Sequence, residues 1–376
     1  MDDMRRADAS QRQRTILHAF PTFEVGGSQI RFAALANHHG ARYRHLIVAM
    51  DGKTQCLDRL QAQVPRELLS IDVPKNRTLG NFMTLRRQLA TLRPDVLVTY
   101  NWGAIEWALA NILPLCAHVH IEDGFGPEEA GSGQLRRRSL FRRLVLSHRS
   151  RVVLPSQTLL GIARGSWRLP ERRLNYVPNG IDCARFMTPP DAARAVTLRR
   201  TPGEMLIGTV ATLRAEKNLG RLLEAFAKLP PDLGARLIIV GGGAERERLE
   251  ARAAELAVGD GVLFTGPLND PEKILGAFDL FALSSDTEQM PFSILEAMAA
   301  GLPIASVEVG DVRNMLSPEN QPFIAQKTAD SLAEAMMRFL KDAKLRQAVG
   351  RSNQEHVRRH YDQSAMFQRY AELFDA

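Results

Sequence analysis

Short apolar runs alternate with helix-forming segments along the whole chain, and that alternation constrains the fold more than any other feature. In the first half the runs are Thr15–Phe20, Leu46–Met50, Val96–Thr99, His118–Ile121 and Arg151–Leu154. Helical patterns fall at 29–36, 81–91 and 105–113, and Ser156 is placed to cap another helix. A second series has strands at 207–210, 236–240, 262–265 and 280–283, with helices at 219–229, 245–256, 271–277 and 292–300. Continuous apolar runs of this length are those of buried parallel strands, and strands separated by helices give a parallel sheet covered on both faces.

A chain of 376 residues holds two such cores. The stretch Tyr176-Val177-Pro178-Asn179-Gly180-Ile181-Asp182 reads as a turn between them. The expected division is a flexible leader at 1–14, a first domain at 15–175 and a second at 176–360. An amphipathic helix within 361–376 is expected to rejoin the first domain. Met1–Arg14 is polar and has no apolar core, so it does not read as a signal peptide.

Composition excludes several classes. With 45% hydrophobic and 24% charged residues the chain is not a disordered one. No apolar run reaches the roughly 18 residues of a membrane span. Three separated cysteines, Cys56, Cys116 and Cys183, form neither a disulfide framework nor a metal-ligand pattern. The cytoplasm is the expected compartment. Lys and Arg exceed Asp and Glu by 49 − 42 = 7, and the segment Arg136–Arg151 alone holds seven arginines and no acid. Leu140, Phe141, Leu144 and Val145 recur there at helical spacing, so a basic amphipathic helix is expected. It is either an ordinary surface helix or a docking element for the inner face of an anionic membrane. Nucleic acid fits less well, because aromatic interleaving is missing.

The chemistry concentrates in Ser284–Pro303. Strand 280–283 leads through a loop to a short helix, with Pro291 suited to its first position, Gly301 to its cap and Pro303 to its stop. Glu288 and Glu296 are eight residues apart, roughly 80° out of phase on one helix; a bend at Pro291 lets both face one cavity. Taken alone, Glu288 is equally a solvated loop residue and Glu296 a first-turn glutamate favoured by the helix dipole. Arg214 and Lys217, three apart just after strand 207–210, place two cations where one diphosphate would meet both. Gly26-Gly27 follows the first strand and Gly241-Gly242-Gly243 follows strand 236–240. Arg246 breaks a dinucleotide fingerprint after the triple glycine, and Ile47 breaks a Walker loop ahead of Gly52-Lys53-Thr54. His118, His120, Glu122 and Asp123 form no expected metal site, because alternation along a strand sends them to opposite faces.

The string Ser-x-x-Glu-x7-Glu-Ala-Met-Ala-x-Gly-Leu-Pro, together with Arg214…Lys217 and Pro178-Asn179-Gly180-Ile181-Asp182, resembles glycosyltransferase family 4. The resemblance implies an α/β GT-B fold, in which two doubly wound Rossmann-like domains face a central cleft. It implies a retaining hexosyltransferase that moves a sugar from a UDP- or GDP-sugar to a saccharide or lipid-linked saccharide, in cell-envelope or exopolysaccharide biosynthesis. Glu288, Arg214, Lys217, His120 and Asp123 then carry catalysis. Donor contacts fall on Gly26, Gly27, Gly208, Arg214, Lys217, Gly241, Gly242, Gly243, Glu288, Met290, Pro291, Phe292 and Glu296. No metal or other cofactor is expected. The family's usual Gly-Phe-Gly after the first glutamate is Gln289-Met290-Pro291 here, and its His before a Gly is Asp123 before Gly124, with His120 three earlier. A nucleotide-sugar epimerase and a non-catalytic binder of nucleotide sugars or anionic polymers share these features.

Overall fold

The computed structural model describes residues 12–71, 73, 78–125, 134–191, 198, 200–268 and 270–376. Residues 1–11 of the expected leader lie outside them. The chain divides into two compact units, Met1–Pro178 with Phe367–Ala376, and Asn179–Met366.

The first unit runs β1 (Arg14–Phe20), α1 (Gly27–His39), β2 (Tyr43–Ala49), β3 (Arg66–Leu69), α2 (Thr78–Leu92) and β4 (Val96–Tyr100). It continues with α3 (Ile105–Ala110), β5 (Ala117–Ile121), α4 (Arg136–Leu146), β6 (Ser150–Leu154), α5 (Gln157–Gly165) and β7 (Leu174–Tyr176). Its seven strands lie in the order β3-β2-β1-β4-β5-β6-β7 and all pair in parallel. The central strand β4 is buried at every position, which is why its sequence is apolar throughout.

Edge strands β3 and β7 escaped the sequence reading. Three of the four β3 residues are exposed, so an edge strand of this kind carries no apolar run to betray it. Helix α3 stops at Ala110, three residues short of the expected Leu113. The Asn111 side chain accepts from Leu115 N at 2.8 Å and donates to Cys116 O at 3.0 Å, closing a turn there. Ser156 caps α5, its Oγ accepting from Leu159 N at 3.0 Å.

The second unit contains α6 (Cys183–Phe186), β8 (Met205–Val210), α7 (Leu219–Ala227), β9 (Ala235–Val240), α8 (Arg246–Glu255), β10 (Val262–Gly266) and α9 (Glu272–Leu275). It continues with β11 (Leu280–Leu283), α10 (Phe292–Ala299), β12 (Ile304–Val307), α11 (Val312–Met315), β13 (Ile324–Ala325), α12 (Ala329–Lys341) and α13 (Ala343–His360). Six parallel strands lie in the order β10-β9-β8-β11-β12-β13. Strand order therefore reverses at β1/β4 in one sheet and at β8/β11 in the other. Loops leaving the carboxyl ends of strands diverge at such a point and leave a crevice for a ligand.

Gly180 was expected to serve a turn. Its open flank instead admits the backbone of Gln363, 2.8 Å from where a Cβ would stand. Ile181 and Asp362 form a parallel bridge there. The last helix, α14 (Gln363–Asp375), returns to the first unit from Phe367 onward. There Phe367 packs 4.7 Å from the His38 ring, Tyr370 lies under the Arg31 guanidinium at 5.6 Å, and Arg151 donates to Leu373 O at 2.8 Å.

The first core also holds polar groups. His18 Nε2 meets His45 Nδ1 at 3.0 Å, and His18 Nδ1 meets the Tyr100 hydroxyl at 3.1 Å. Desolvation and the neighbouring His45 hold His18 well below its ordinary 6.5. Desolvation pushes His45 down to about 4 and His118 to about 3. A histidine depressed on folding binds fewer protons folded than unfolded, so its stabilisation is complete above about pH 6.5 and declines as pH falls towards the folded value. Urea midpoints should accordingly be constant from pH 8 to 7 and fall steeply between about 6.5 and 4. Each histidine contributes up to about 1.4 kcal/mol per pH unit in that window. A midpoint independent of pH across it would contradict this assignment.

Candidate active site

In the second unit, β8 ends in a loop from Ala211 to Asn218, and β11 ends in one from Ser284 to Pro291. Asn218 adopts a left-handed conformation (φ 41°), caps α7 and donates to Asp286 Oδ2 at 3.0 Å. Arg221 donates to Asp286 Oδ1 at 2.6 Å and to Ser284 O at 2.7 Å. Asp286 N–H reaches Glu216 O at 2.9 Å. These bonds join the two loops and place Lys217 Nζ 2.6 Å from Glu288 Oε1. Ser285 Oγ donates to the same oxygen at 2.7 Å. Lys217 is 24% exposed and Glu288 9%, so the pair is shielded yet reachable from solvent.

Arg214, three residues before Lys217 in the same loop, is exposed and forms no ion pair among the described residues. It lines a groove of about 830 Å³ with Arg221, Arg248, Arg252, Asp286 and Lys327. Those other cations are engaged: Arg221 with Asp286, Arg248 with Glu245, Arg252 with Glu224 and Glu255, and Lys327 with Asp286 O. Arg214 alone of the lining cations keeps its whole guanidinium for an anion.

The turn at Glu288 is braced from two further places that sequence reading missed. Asn179 donates to Met290 O at 2.9 Å. Asp311 N–H donates to Gln289 O at 2.9 Å. Gly310, at φ 53°, lies so close that a Cβ would stand 2.4 Å from Glu288 O. Sequence signals were present in Asn179, which was read only as a turn former, and in the isolated Gly310.

Several expected donor residues have other roles. Pro291 is the extended residue before α10 (φ −69°, ψ 127°), one position earlier than expected. The Met290 side chain is 5% exposed and belongs to the core, where its sulfur accepts from Asn179 N–H at 3.2 Å. Pro291 is buried and Phe292 is half-buried against the same core. Gly208 lies inside β8, and a Cβ there would fall 2.0 Å from the Phe278 ring, so packing accounts for that glycine. Gly241 and Gly243 have φ 144° and 155°, with their open flanks filled by Ala211 O and Leu213 O. They let the β9 loop lie against the Arg214 loop, with Leu213 N–H bonded to Gly242 O at 2.9 Å. Gly242 faces Pro267.

Glu296 lies in the second turn of α10, and the first turn contains no acid, so the helix-dipole explanation fails. Desolvation pushes its carboxyl up to about 7; the Glu272 carboxylate adds to the rise and Arg185 opposes it. Arg185 donates to Glu272 Oε1 at 2.7 Å, and Glu272 Oε2 is buried with no hydrogen-bond partner.

In the first unit, Gly26 is the extended residue before α1 and Gly27 is its first residue, at the carboxyl end of β1. Asp123 forms a two-pronged ion pair with buried Arg31 of α1, at 2.6 and 2.8 Å. Its N–H donates to Asn101 Oδ1 at 2.7 Å. Burial would lower Arg31, but Asp123 and Tyr370 outweigh it and raise its pKa. His120 was expected at the ligand. It is fully buried, with Thr99 Oγ1 at 2.8 Å on Nδ1 and Glu122 Oε2 at 3.3 Å on Nε2. It is thus a core residue rather than a catalytic one. His118, on the same face, shares Thr99 Oγ1 at 2.9 Å. Glu122 also joins this chain, so the opposite-face argument holds for Asp123 alone.

The fold and the geometry of both switch points define an α/β protein of the GT-B class. The Anabaena protein HepE, in complex with UDP and glucose, superposes with a TM-score of 0.81 at 19% identity, covering 96% of this chain and 100% of that one. Residues 25–185 match Glycosyltransferase Family 4, and residues 196–356 match glycosyl transferases group 1. N-acetyl-alpha-D-glucosaminyl L-malate synthase of Bacillus anthracis is 25% identical over 46% of this chain and 45% of its own length. An uncharacterized glycosyltransferase of Methanocaldococcus jannaschii is 25% identical over 71% of each chain. The chain spans about half the length of the first of these relatives. The two halves of the chain thus match two glycosyltransferase family models in succession.

Gly310→Ala tests the brace. A left-handed alanine costs about 1–2 kcal/mol, and relieving its overlap with Glu288 O moves the turn. Urea unfolding should show at least that loss, and nucleotide binding should weaken with it.

Proposed function

We propose that the protein transfers a hexosyl group, with retention of configuration, from a UDP- or GDP-sugar to a saccharide or lipid-linked saccharide acceptor. The observation that carries this is the shielded Lys217–Glu288 pair at the β8/β11 switch point, with an unengaged Arg214 in the same loop as Lys217. The departing nucleotide diphosphate gains negative charge as the sugar bond breaks. A guanidinium free to turn to it and an ammonium held beside Glu288 stabilise that charge more in the transition state than in the bound donor. Lys217 has three N–H donors and spends one on Glu288, so it can serve phosphate and carboxylate together. Glu288, oriented by Lys217 and Ser285, accepts from a donor-sugar hydroxyl. Attack comes from the face the phosphate leaves, with a phosphate oxygen taking the acceptor proton. No side-chain nucleophile and no metal enters this scheme. HepE, which carries UDP and glucose, supports a nucleoside diphosphate donor.

On the acceptor side, the Gly26-Gly27 entry to α1 and Asp123, anchored on Arg31, supply N–H donors and a carboxylate. The same reading places the enzyme in the cytoplasm, working on envelope or exopolysaccharide precursors at the inner membrane face. Among the described residues no helix is long and apolar enough to cross a membrane.

Nucleotide release from UDP- and GDP-sugars, with a lipid-linked saccharide extract, tests the reaction. Arg214→Ala and Glu288→Gln should each lower turnover by about 10²–10³-fold while the fold stays intact. Unchanged turnover in both would remove the scheme. Glu296 gives a separate prediction, because ribose hydroxyls donate to an ionised carboxylate. Nucleotide affinity should rise as pH passes upward through about 7, and Glu296→Gln should flatten that rise.

A further inference from the structure

The basic segment Arg136–Arg151 does not present the stripe its sequence implies. Arg142 points inward and is fully buried, 4.7 Å from the Trp167 ring and 5.0 Å from Trp102, with Nε on Glu122 at 3.2 Å. Val145 and Leu146 share that inner face. Leu140 and Leu144, which an ordinary surface helix would pack and a docking helix would present, are 67% and 55% exposed.

They do not stand alone. Helix α2 packs on α3 and α3 on α4, so the three form one face of the first unit. Met83 of α2 is 61% exposed, and Leu113 and Leu115, just after α3, are 68% and 44% exposed. Ten large apolar side chains of the described residues are exposed, and these five are half of them. Around them Arg87, Arg136, Arg137, Arg143 and Arg149 are exposed without an ion-pair partner among the described residues. Neither α2 nor α4 contains an acid. The single acid of α3, Glu106, accepts from Asn81 at 2.8 Å. A recess of about 400 Å³ opens between the ends of α3 and α4, lined in part by Asn111, Leu115, Cys116, His148 and Arg149.

We propose that the α2–α3–α4 face is a docking surface for a bilayer containing anionic phospholipid, with the five apolar side chains entering the headgroup layer and the recess receiving a headgroup phosphate. Exposed leucine and methionine gain free energy only where water is left behind. Unpaired arginines at the same level gain from a negative surface, and each term is weak without the other. The leucines argue against a nucleic acid, whose phosphates offer them nothing. The proposal extends the acceptor reading above to the place where a lipid-linked acceptor is met, and its test does not require turnover.

Flotation of the full chain with phosphatidylcholine vesicles, with and without phosphatidylglycerol, reads the partition directly. Binding is expected only with phosphatidylglycerol and should weaken with salt. Arg136→Gln/Arg137→Gln/Arg143→Gln should reduce it on the order of a hundredfold. Leu140→Gln/Leu144→Gln should reduce it about tenfold or more. These are exposed positions, and retained nucleotide binding confirms that each variant is folded. The idea is overturned by no binding to phosphatidylglycerol vesicles at low salt. Binding indifferent to the leucine pair, tighter binding to duplex DNA, or a leucine-dependent dimer in light scattering would equally overturn it. Vesicle binding by a chain that binds no nucleotide sugar would leave this surface standing and remove the transferase scheme.

Discussion

The reversal of strand order between β8 and β11 brings Lys217 within 2.6 Å of Glu288 across 71 residues of sequence. Everything at the candidate site depends on that juxtaposition. All strands of the sheet are parallel, so each delivers its following loop to the same edge, and only at the reversal do neighbouring loops turn away from each other. The opening would be a liability if the two loops were free to close it. Asp286, held by Asn218 and Arg221, fixes their separation instead. Coulomb attraction then acts on groups that are already in place, and little conformational entropy remains to be lost by the two side chains.

Support for this arrangement comes largely from backbone. Asn179 on one side and Gly310-Asp311 on another hold carbonyls of the Met290 and Gln289 peptides. The triple glycine after β9 lets the Arg214 loop settle against it. Where the family pattern has Gly-Phe-Gly, this chain has a turn stiffened by Pro291 and anchored by a buried Met290. The loss of glycine freedom is matched by added fixation. Glu296, one helical turn further on, is left in a partly desolvated position where neither protonation state dominates near neutrality.

The first unit shows how charge is sorted by packing. A seven-arginine segment looks uniform in sequence. In the structure one guanidinium is enclosed by aromatic rings and paired with Glu122, another stacks over Trp102 at 4.9 Å, and several remain in solvent. A buried cation is tolerated only with a carboxylate and a ring face beside it, and the sequence does not say which arginine finds them. The exposed apolar patch likewise joins side chains from two helices and the loop after a third, which no single periodicity connects.

The alternation of apolar runs and helical segments determined the fold class, because a parallel strand buried on both faces must be apolar whatever its partners are. Spacing placed Arg214, Lys217 and Glu288 on the loops after two strands and Glu296 on the following helix, one turn deeper than a first-turn glutamate. Strands β3, β7, β12 and β13 lay beyond its reach: the edge strands β3, β7 and β13 lack a long apolar run, and β12, though buried throughout, is only four residues long. Burial was equally out of reach. His120 and Asp123 stand three residues apart in one sequence motif, yet one is sealed in the core and the other is held by Arg31 at the strand end. Local pattern records which residues prefer to be inside. Which polar groups are actually enclosed, and with what partners, is decided by contacts between segments distant in sequence, and only the tertiary structure contains them.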